Sequence, residues 1–315
     1  MCRPPRSGTS GAGRGAPSAV TSLSVKLPPL LRALRPHQWA KNTLLVLPAL
    51  AAHVAWAPSL GLDLLAGFAS FSLLASASYL LNDIIDLPHD RLHPSKCRRP
   101  LASGQIPVRL AAGMAAVLLV AAAAIAAGLP QRFQLALGAY LALNLAYTFG
   151  VRRLPVADVI ALATLYATRV VAGAALVDVP LSRWFLAFSL FLFLSLALVK
   201  RVVELQAVPD GTTGFVRGRS YLRADIPVLV SLGVACAAAS ALVYCLYVTG
   251  EDVGHLYRRS DVLWIGLPLV IYWQARVWLI TSRGDMHSDP VVFALRDRVS
   301  WYALAAFLLT VVAAA

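Results

Sequence analysis

The chain has 315 residues, of which 59% are hydrophobic and only 14% are charged, and its formal net charge at pH 7 is +13. A soluble globular domain carries roughly 25% charged residues, so the composition excludes a protein that is surrounded mainly by water. The apolar stretches are continuous and rich in Ala and Leu, without the alternation of β-barrel strands. They predict an all-α, polytopic membrane protein.

Residues 1–28 contain Gly, Ser, Pro and Arg but no acidic residue and no long apolar run. Such a composition is typical of disorder, and it predicts a disordered cytosolic tail. An organellar transit peptide is the alternative for this segment. Residues 29–315 are predicted to form a single transmembrane domain.

Apolar segments near the length of about 20 residues that spans a bilayer follow one another along the rest of the chain. Each is predicted as a transmembrane helix, which gives nine spans in total. The segments lie at 42–59, 60–81, 110–127, 133–149, 156–176, 184–199, 226–248, 262–280 and 299–315.

Nearly all Lys and Arg residues lie in the tail and in the loops after the second, fourth, sixth and eighth segments. The positive-inside rule assigns these parts to the cytosol, so the amino terminus is predicted inside and the carboxyl terminus outside. The positive charge is expected to contact anionic membrane lipids. No nucleic-acid partner is expected.

An acidic motif ends the second segment and continues into the following loop. Asn82, Asp86 and Asp90 recur every four residues, with Asp83 one position further on, so a continuous helix would present them on a shared face. Clustered oxygen ligands suit Mg²⁺, which is usually held by one or two carboxylates and substrate phosphates. These four residues are therefore predicted metal ligands, although Pro88 is expected to end or kink the helix. A solvated acidic helix end is the alternative.

A basic cluster follows the acidic motif and could pair with diphosphate oxygens; it comprises Arg91, Lys96, Arg98 and Arg99. The pattern Asn-Asp-x-x-Asp-x-x-x-Asp at this place resembles the first aspartate-rich motif of the UbiA superfamily of intramembrane prenyltransferases. The resemblance extends from about residue 34 to the end of the chain. It implies nine transmembrane helices around a central cavity that opens to the cytosol and to lipid, and a diphosphate bound through Mg²⁺ as cofactor.

The place of a second aspartate-rich motif, which the quinone and haem branches of that superfamily carry, is basic in this chain. It holds Lys200, Arg201 and Glu204, followed by Arg219 and Tyr221. Lys200 and Glu204 are one helical turn apart, so an ion pair at the membrane edge is the alternative to a binding site. Together with 35–42, 82–104 and 289–297, these residues resemble the branch of the decaprenyl-phosphate phosphoribosyltransferases.

That branch transfers 5-phosphoribose from phosphoribosyl pyrophosphate to a polyprenyl phosphate and releases pyrophosphate. The resemblance implies the same reaction here, in a bacterial inner (plasma) membrane, with the active site on the cytosolic side. Asp83, Asp86 and Asp90 would be catalytic, with Mg²⁺ held chiefly by Asp83 and Asp86. Lys96 and Arg99 would donate hydrogen bonds to the oxygens of the departing pyrophosphate.

Further positive charge is expected around the donor, because it carries a 5-phosphate in addition to the diphosphate. Lys200, which is also predicted as catalytic, would supply this charge together with Arg201 and Arg219. Lys41, at the start of the first segment, is the candidate for the lipid phosphate, and snorkelling to lipid head groups is its alternative. The remaining predicted substrate contacts are Asn82, Arg98, Tyr147, Asp158, Glu204 and Tyr221.

Two charges lie within the fifth segment, where a charge in lipid is costly unless it is paired or solvated. Asp158 and Arg169 are separated by about three helical turns and therefore share a face. Asp158 lies near the cytosolic end and is expected to join the ribose site. Arg169 lies deeper and is expected to pair with an acid that the sequence does not identify.

Two other functions stay open at this point. The first is a prenyltransferase that joins a polyprenyl diphosphate to an aromatic or other small acceptor. The second is a transporter or lipid-scrambling protein, which is disfavoured because the carboxylates gather at one membrane edge and only Arg169 lies clearly mid-membrane. A homo-oligomer is a further alternative that the sequence leaves open.

Overall fold

The computed structural model of the chain describes residues 28–52, 58–92, 96–208, 220–286 and 289–315. Within these ranges the chain is all-helical and contains no β-strand, as the sequence predicts. The predicted amino-terminal tail lies outside the described residues, apart from Pro28.

The helices are numbered in chain order. The α-helices are α1 (Pro29–Leu34), α2 (Leu47–Ala51), α3 (Pro58–Ile85), α4 (Leu87–Leu92), α5 (Val108–Ala127), α6 (Gln131–Phe149), α7 (Ala157–Leu176), α8 (Arg183–Gln206), α9 (Ile226–Val248), α10 (Glu251–Leu256), α11 (Gly266–Ser282), α12 (Pro290–Arg296) and α13 (Arg298–Ala314). Short 3-10 helices lie between them, at Pro36–Val46, Lys96–Arg98, Val151–Arg153, Arg223–Asp225 and Ser260–Ile265.

Among the described residues, 6 helices are long and apolar enough to cross a membrane, or up to 7 if α12 and α13, which meet at 83°, form one span. The six lie at Leu60–Ile85, Val108–Ala127, Ala157–Leu176, Arg183–Gln206, Arg223–Val248 and Ser260–Ser282. The predicted segments 42–59 and 133–149 are not in this set. The structure thus supports a polytopic helical protein, and nine spans stay a prediction.

The first predicted segment begins as the 3-10 helix Pro36–Val46 and continues as the short helix α2. Pro48 lies in the first turn of α2, and an α-helix running through it would bring its ring against the carbonyl of residue 44. The 3-10 helix is held by α7, where Arg169 Nε donates to Asn42 Oδ1 at 2.9 Å. A Cβ on Gly173 of α7 would lie 2.1 Å from the carbonyl oxygen of Leu45, so only glycine permits this approach.

The core of the bundle lies around α7. Among the six apolar helices this one is the most enclosed, because 67% of its apolar stretch is buried inside the protein, against 22% for α5 at the periphery. Val159 and Val170 of α7 and Leu198 and Val199 of α8 are fully buried against each other. Burying about 100 Å² of apolar side chain contributes roughly 2.5 kcal/mol in water, and inside a bilayer close packing takes over this role.

Successive helices run in alternating directions, which brings several charged helix ends together. Arg201 of α8 lies 2.5 Å from Asp158 of α7, and Lys200 lies 3.5 Å from Asp289 at the start of α12. Arg152, just before α7, lies 2.6 Å from Asp86, just after α3. We call this end of the bundle, which carries 82–92, 96–99, 151–158, 200–204 and 289, the polar end.

Candidate active site

The acidic motif lies where α3 gives way to α4. α3 ends at Ile85 and α4 begins at Leu87, so the break expected at Pro88 lies two residues before it, at Asp86. Pro88 itself lies in the first turn of α4, where proline is tolerated. Asp83 is 4% exposed and accepts hydrogen bonds from Arg35 at 2.5 Å and Arg99 at 3.1 Å. Asp90 is also buried and accepts from Arg99 at 2.6 Å.

The other two residues of the motif, Asn82 and Asp86, have different hydrogen-bond partners. Asn82 Oδ1 accepts from the Thr148 hydroxyl at 2.5 Å, and Asp86 accepts two hydrogen bonds from Arg152 at 2.7 and 2.6 Å. Burial alone would raise the pKa of Asp86, but the Arg152 hydrogen bonds and charge, with the charges of Lys96 and Arg99, outweigh it and lower the pKa below its usual value. Asp86 is therefore an ionised carboxylate at neutral pH.

The expected shared face of four ligands is thus split by arginines. Among the described residues, no group of three His, Cys, Asp or Glu side chains lies close enough to hold a metal ion. Asp83 and Asp90, however, share one cationic nitrogen, because Nη1 of Arg99 contacts both carboxylates. Mg²⁺ needs only one or two carboxylates when substrate phosphates complete its shell. The buried pair Asp83 and Asp90 fits such an ion, and Asp86 lies within the electrostatic reach of the same arginine.

A basic cavity of about 490 Å³ opens beside Asp83. It contains four arginines and one carboxylate, and its lining residues are Arg32, Arg35, Pro36, His37, Gln38, Asp83, Arg98, Arg99 and Pro100. Burial and the charges of Arg35 and Lys41 lower the pKa of His37, so this ring is neutral at pH 7. The excess of guanidinium groups suits the cavity to a multiply charged anion.

A second basic site lies at the start of α12. Asp289 accepts from Lys41 Nζ at 2.9 Å, and Lys200 Nζ lies 3.5 Å from the same oxygen. Burial opposes ionisation, but the charges of both lysines lower the pKa of Asp289 to about 2. The sequence left an ion pair between Lys200 and Glu204 as the alternative to a binding site. In the structure Lys200 contacts Asp289, and Glu204 accepts a hydrogen bond from Arg201.

An apolar groove of about 410 Å³ begins at Lys41 and runs away from the polar end between the 3-10 helix, α8, α9, α11 and α13. Its walls are aliphatic and aromatic, and they include Leu44, Leu47, Phe188, Leu192, Tyr244, Trp273, Leu304 and Phe307. Tyr257 lines the far part of the groove and donates to the carbonyl of Ala51 at 3.0 Å. An amphiphile with an anionic head and a hydrocarbon tail matches this arrangement.

Asp158, Arg201 and Tyr221 form a buried cluster between α7 and α8. Asp158 is 0% exposed and accepts from Arg201 and from the Tyr221 hydroxyl, each at 2.5 Å. Arg201 is also 0% exposed and donates to Glu204. The expected contacts of these residues with substrate do not fit this arrangement, because no surface of Asp158 or Arg201 faces a cavity. Their charges hold the two helices together.

Arg169 has no acidic partner among the described residues, contrary to expectation. Its guanidinium donates to Asn42, to the carbonyl of Leu165 and to the Tyr140 hydroxyl, at 2.9, 2.6 and 2.9 Å. Its carbon also lies 4.7 Å from the centroid of the Tyr140 ring, a cation–π contact. Neutral acceptors and an aromatic ring therefore solvate this charge in place of a carboxylate.

The other candidates are placed less closely around the two basic sites. Lys96 begins the turn before Arg99, and Arg98 is exposed at the rim of the basic cavity. Tyr147 lies half-buried in the last turn of α6. Arg219 lies outside the described residues.

The family model for the UbiA prenyltransferase family matches residues 44–296. The chain belongs to this family. Relatives include the decaprenyl-phosphate phosphoribosyltransferase of Corynebacterium glutamicum, 37% identical over 276 residues, covering 86% of this chain and 81% of the relative. The nodulation protein NoeC of Azorhizobium caulinodans is 34% identical over 265 residues, covering 84% and 86%. The uncharacterized protein y4nM of Sinorhizobium fredii is 37% identical over 273 residues, and this match covers 86% of the chain but only 53% of the relative.

The fold of this UbiA family member is also found among solved structures. A UbiA homologue of Archaeoglobus fulgidus, solved with GPP and Mg²⁺, aligns with a TM-score of 0.70 and 20% identity, covering 91% of this chain and 99% of the other. At this identity the similarity shows the fold alone. It agrees with the helical architecture described above.

Sequence reasoning did not assign a site role to three charged residues that lie at the candidate site of this UbiA family member. Arg35, which lies in the motif 35–42, and Arg152 contact aspartates that lie 48 and 66 positions away, a pairing that local spacing does not indicate. Asp289 does carry a local signal. It precedes Pro290 at the start of α12 and accepts from the amide of Val291 at 3.1 Å, the typical pattern of an N-cap followed by proline.

Proposed function

We propose that the chain transfers 5-phosphoribose from phosphoribosyl pyrophosphate to a polyprenyl phosphate and releases pyrophosphate. The observation that carries this proposal is that one segment lines both cavities. Arg35 and His37 face the basic cavity beside Asp83, and Lys41 and Leu44 face the apolar groove. A hydrophilic polyanion and an amphiphile can therefore bind on the two sides of the same segment. Relatives named decaprenyl-phosphate phosphoribosyltransferase, at 31–37% identity, support the same pair of substrates.

The donor is assigned to the basic cavity because of its charge. Phosphoribosyl pyrophosphate carries a 5-phosphate and a diphosphate, and the four arginines of the cavity exceed its single carboxylate. Charge-assisted hydrogen bonds from guanidinium to phosphate are frequently bidentate. Arg35 and Arg99, which now contact Asp83, would turn to the diphosphate when it binds.

Magnesium would be held by Asp83 and Asp90, with Asp86 assisting, and the diphosphate would complete its shell. When bound, it supplies Lewis-acid stabilisation of the departing pyrophosphate. Among the protein's own groups, Arg35 and Arg99 would strengthen their hydrogen bonds as negative charge develops on the leaving oxygens. Asn82, held by Thr148, would orient the motif from the side of α6.

The acceptor is assigned to Lys41 and Lys200 at the mouth of the groove. Both lysines contact Asp289, and a lipid phosphate would replace this carboxylate as their partner. This assignment moves Lys200 from the donor phosphate, where the sequence suggested it, to the acceptor. In the reaction an oxygen of the lipid phosphate forms a bond to ribose C1, and the bond from C1 to the pyrophosphate oxygen breaks with its electron pair. The lipid phosphate is already anionic, so no strong base is required.

Transfer of a prenyl group to a small acceptor is the alternative. A prenyl diphosphate joins its tail directly to the diphosphate, so one molecule would have to reach from the Asp83 carboxylate into the groove. The groove lining includes Lys41 but none of the aspartates of the motif. This separation favours a lipid that carries its own phosphate.

The proposal includes an orientation in the membrane. The polar end would face the cytosol of a bacterial inner membrane, where a soluble sugar phosphate is available, and the carboxyl terminus would lie outside. Nine spans, in which the segment 42–59 and α6 join the apolar helices, would place the termini on opposite sides. Assembly into a homo-oligomer is compatible with this arrangement.

The test is turnover by the purified chain in phospholipid vesicles containing polyprenyl phosphate. With phosphoribosyl pyrophosphate and Mg²⁺, mass spectrometry should detect a phosphoribosyl lipid. Asp83→Asn should lower product formation by about 100-fold or more. Asp178→Asn, which alters an 83% exposed side chain in an ion pair with Arg132 remote from both cavities, should leave turnover unchanged. A product only from prenyl diphosphate and an aromatic acceptor would support the alternative, and the absence of any covalent product would reject an enzyme of either kind.

A further inference from the structure

A strained turn lies between α6 and α7. Val156 has φ 66° and ψ −46°, and the amide of Ala157 donates to the carbonyl of Pro155 at 2.7 Å. These values define a γ-turn of the rare, strained type. Positive φ is a true outlier for a β-branched residue, so contacts from outside the turn must hold it.

Two adjacent residues from the start of 220–225 provide these contacts. The Tyr221 hydroxyl accepts from the amide of Val156 at 2.7 Å, and the Ser220 hydroxyl donates to the carbonyl of Arg153 at 2.5 Å. Tyr221 is 3% exposed, and its hydroxyl also donates to Asp158 at 2.5 Å. The tyrosine therefore joins the turn to the buried ion pair of α7 and α8.

The γ-turn also determines where Arg152 meets the aspartate motif. Arg152 precedes Val156 by four residues and donates to both oxygens of Asp86. Its Nε is buried and has no hydrogen-bond partner within the described part of the chain. Such a donor is costly to bury, so the position of this side chain depends on its two hydrogen bonds to Asp86 and on the loop that carries it.

We propose that Tyr221 is a positioning residue that couples the basic end of α8 to the aspartate motif. The coupling runs from Arg201 and Asp158 through the Tyr221 hydroxyl to the γ-turn at Val156, and from there through Arg152 to Asp86. Tyr221 touches no substrate in this account. It sets the orientation of Asp86 and so the affinity of the motif for a magnesium–diphosphate complex, which rests on the proposed metal site.

Binding of Mg²⁺ with inorganic pyrophosphate to the purified full chain in nanodiscs tests the coupling without turnover. Tyr221→Phe should weaken this binding by about tenfold, the factor that corresponds to the loss of one hydrogen bond, here the one that holds the amide of Val156 in the turn. Val156→Gly in the same chain should restore most of the affinity, because glycine adopts positive φ without steric cost. Val156→Gly alone should bind within about twofold of the unaltered chain, since the turn is kept.

Two further variants separate positioning from general stability. Ala157→Pro removes the amide that closes the γ-turn while leaving Tyr221 and Asp158 intact, and proline is well accommodated at the first position of a helix. It should weaken pyrophosphate binding as Tyr221→Phe does. Ser195→Ala removes buried hydrogen bonds to Gly233 and Trp278 in the α8, α9 and α11 interface. It should lower the melting temperature but leave the affinity unchanged.

The outcomes are distinct. If Tyr221→Phe or, should that variant not fold, Ala157→Pro binds magnesium pyrophosphate as the unaltered chain does, the coupling is overturned. The same holds if glycine at 156 gives no recovery. If the unaltered chain does not bind magnesium pyrophosphate at all, the coupling and the metal site fail together. If these affinities shift as expected but no phosphoribosyl lipid is ever formed, the proposed reaction fails and the coupling stands.

Discussion

Replacement of Lys200 by Gln separates the donor site from the acceptor site. The Lys200 ammonium lies 3.5 Å from Asp289, and its side chain is 29% exposed, so the variant should fold. Lys41, at 2.9 Å, keeps Asp289 paired in the variant. If Lys200 donates a charge-assisted hydrogen bond to the lipid phosphate, its loss costs about 1.5–3 kcal/mol. This corresponds to a rise in KM for polyprenyl phosphate of roughly 10- to 150-fold.

Initial rates in proteoliposomes, with each substrate varied in turn, measure this effect. KM for phosphoribosyl pyrophosphate should stay within about twofold, because Lys200 is assigned to the acceptor and not to the donor. Arg132→Gln is the matched control, because it removes a positive charge that is 79% exposed and remote from both cavities. An increase in KM for the donor alone would return Lys200 to the donor phosphate, and no change in either KM would remove it from the site.

Three further predictions follow from the polar end. Asp83→Asn and Asp90→Asn should each lower kcat/KM by about 100-fold or more, and Asp86→Asn by about tenfold, because the three carboxylates differ in their share of transition-state stabilisation. Steady-state kinetics at varied Mg²⁺ concentration measure these losses, and equal losses in the three variants would contradict the assignment. Asp289 has a folded-state pKa of about 2, below its ordinary value, so its stabilisation of about 2 kcal/mol is present above pH ~4 and is lost as pH falls towards 2; thermal unfolding at varied pH should show a flatter profile for Asp289→Asn. Arg201→Met should destabilise by about 3–5 kcal/mol because it leaves Asp158 buried without its cation, and the double variant with Asp158→Asn should recover stability; additive losses would contradict the pairing.

The helices and the acidic motif were accessible from the sequence because both have local signals. A span requires a continuous apolar stretch, and the predicted boundaries of α5, α7 and α9 lie within a few residues of those observed. Asn82 to Asp90 was recognised from its spacing and its place at the end of an apolar segment. The prediction of one regular helix over 42–59 was wrong, because Pro48 and the close approach of Leu45 to Gly173 favour a 3-10 helix up to Val46.

The partners of the charged residues could not be obtained in this way. Lys200 and Glu204 have the right spacing for a helical pair, but Lys200 contacts Asp289 at the start of α12, and Glu204 contacts Arg201. Helical periodicity gives the face on which a residue lies and not the helix that packs there. For the same reason Asp158 was expected in a ribose site, although it is fully buried and accepts hydrogen bonds from Arg201 and Tyr221.

The position of a radioactive phosphate in the donor tests the central claim most directly. The chain in vesicles with polyprenyl phosphate and Mg²⁺ would receive phosphoribosyl pyrophosphate labelled either in the 5-phosphate or in the diphosphate, followed by extraction of the lipids. The account predicts that label from the 5-phosphate enters the lipid fraction, while label from the diphosphate stays in water as pyrophosphate. Label from the diphosphate in the lipid, or no label in the lipid from either donor, would contradict the account.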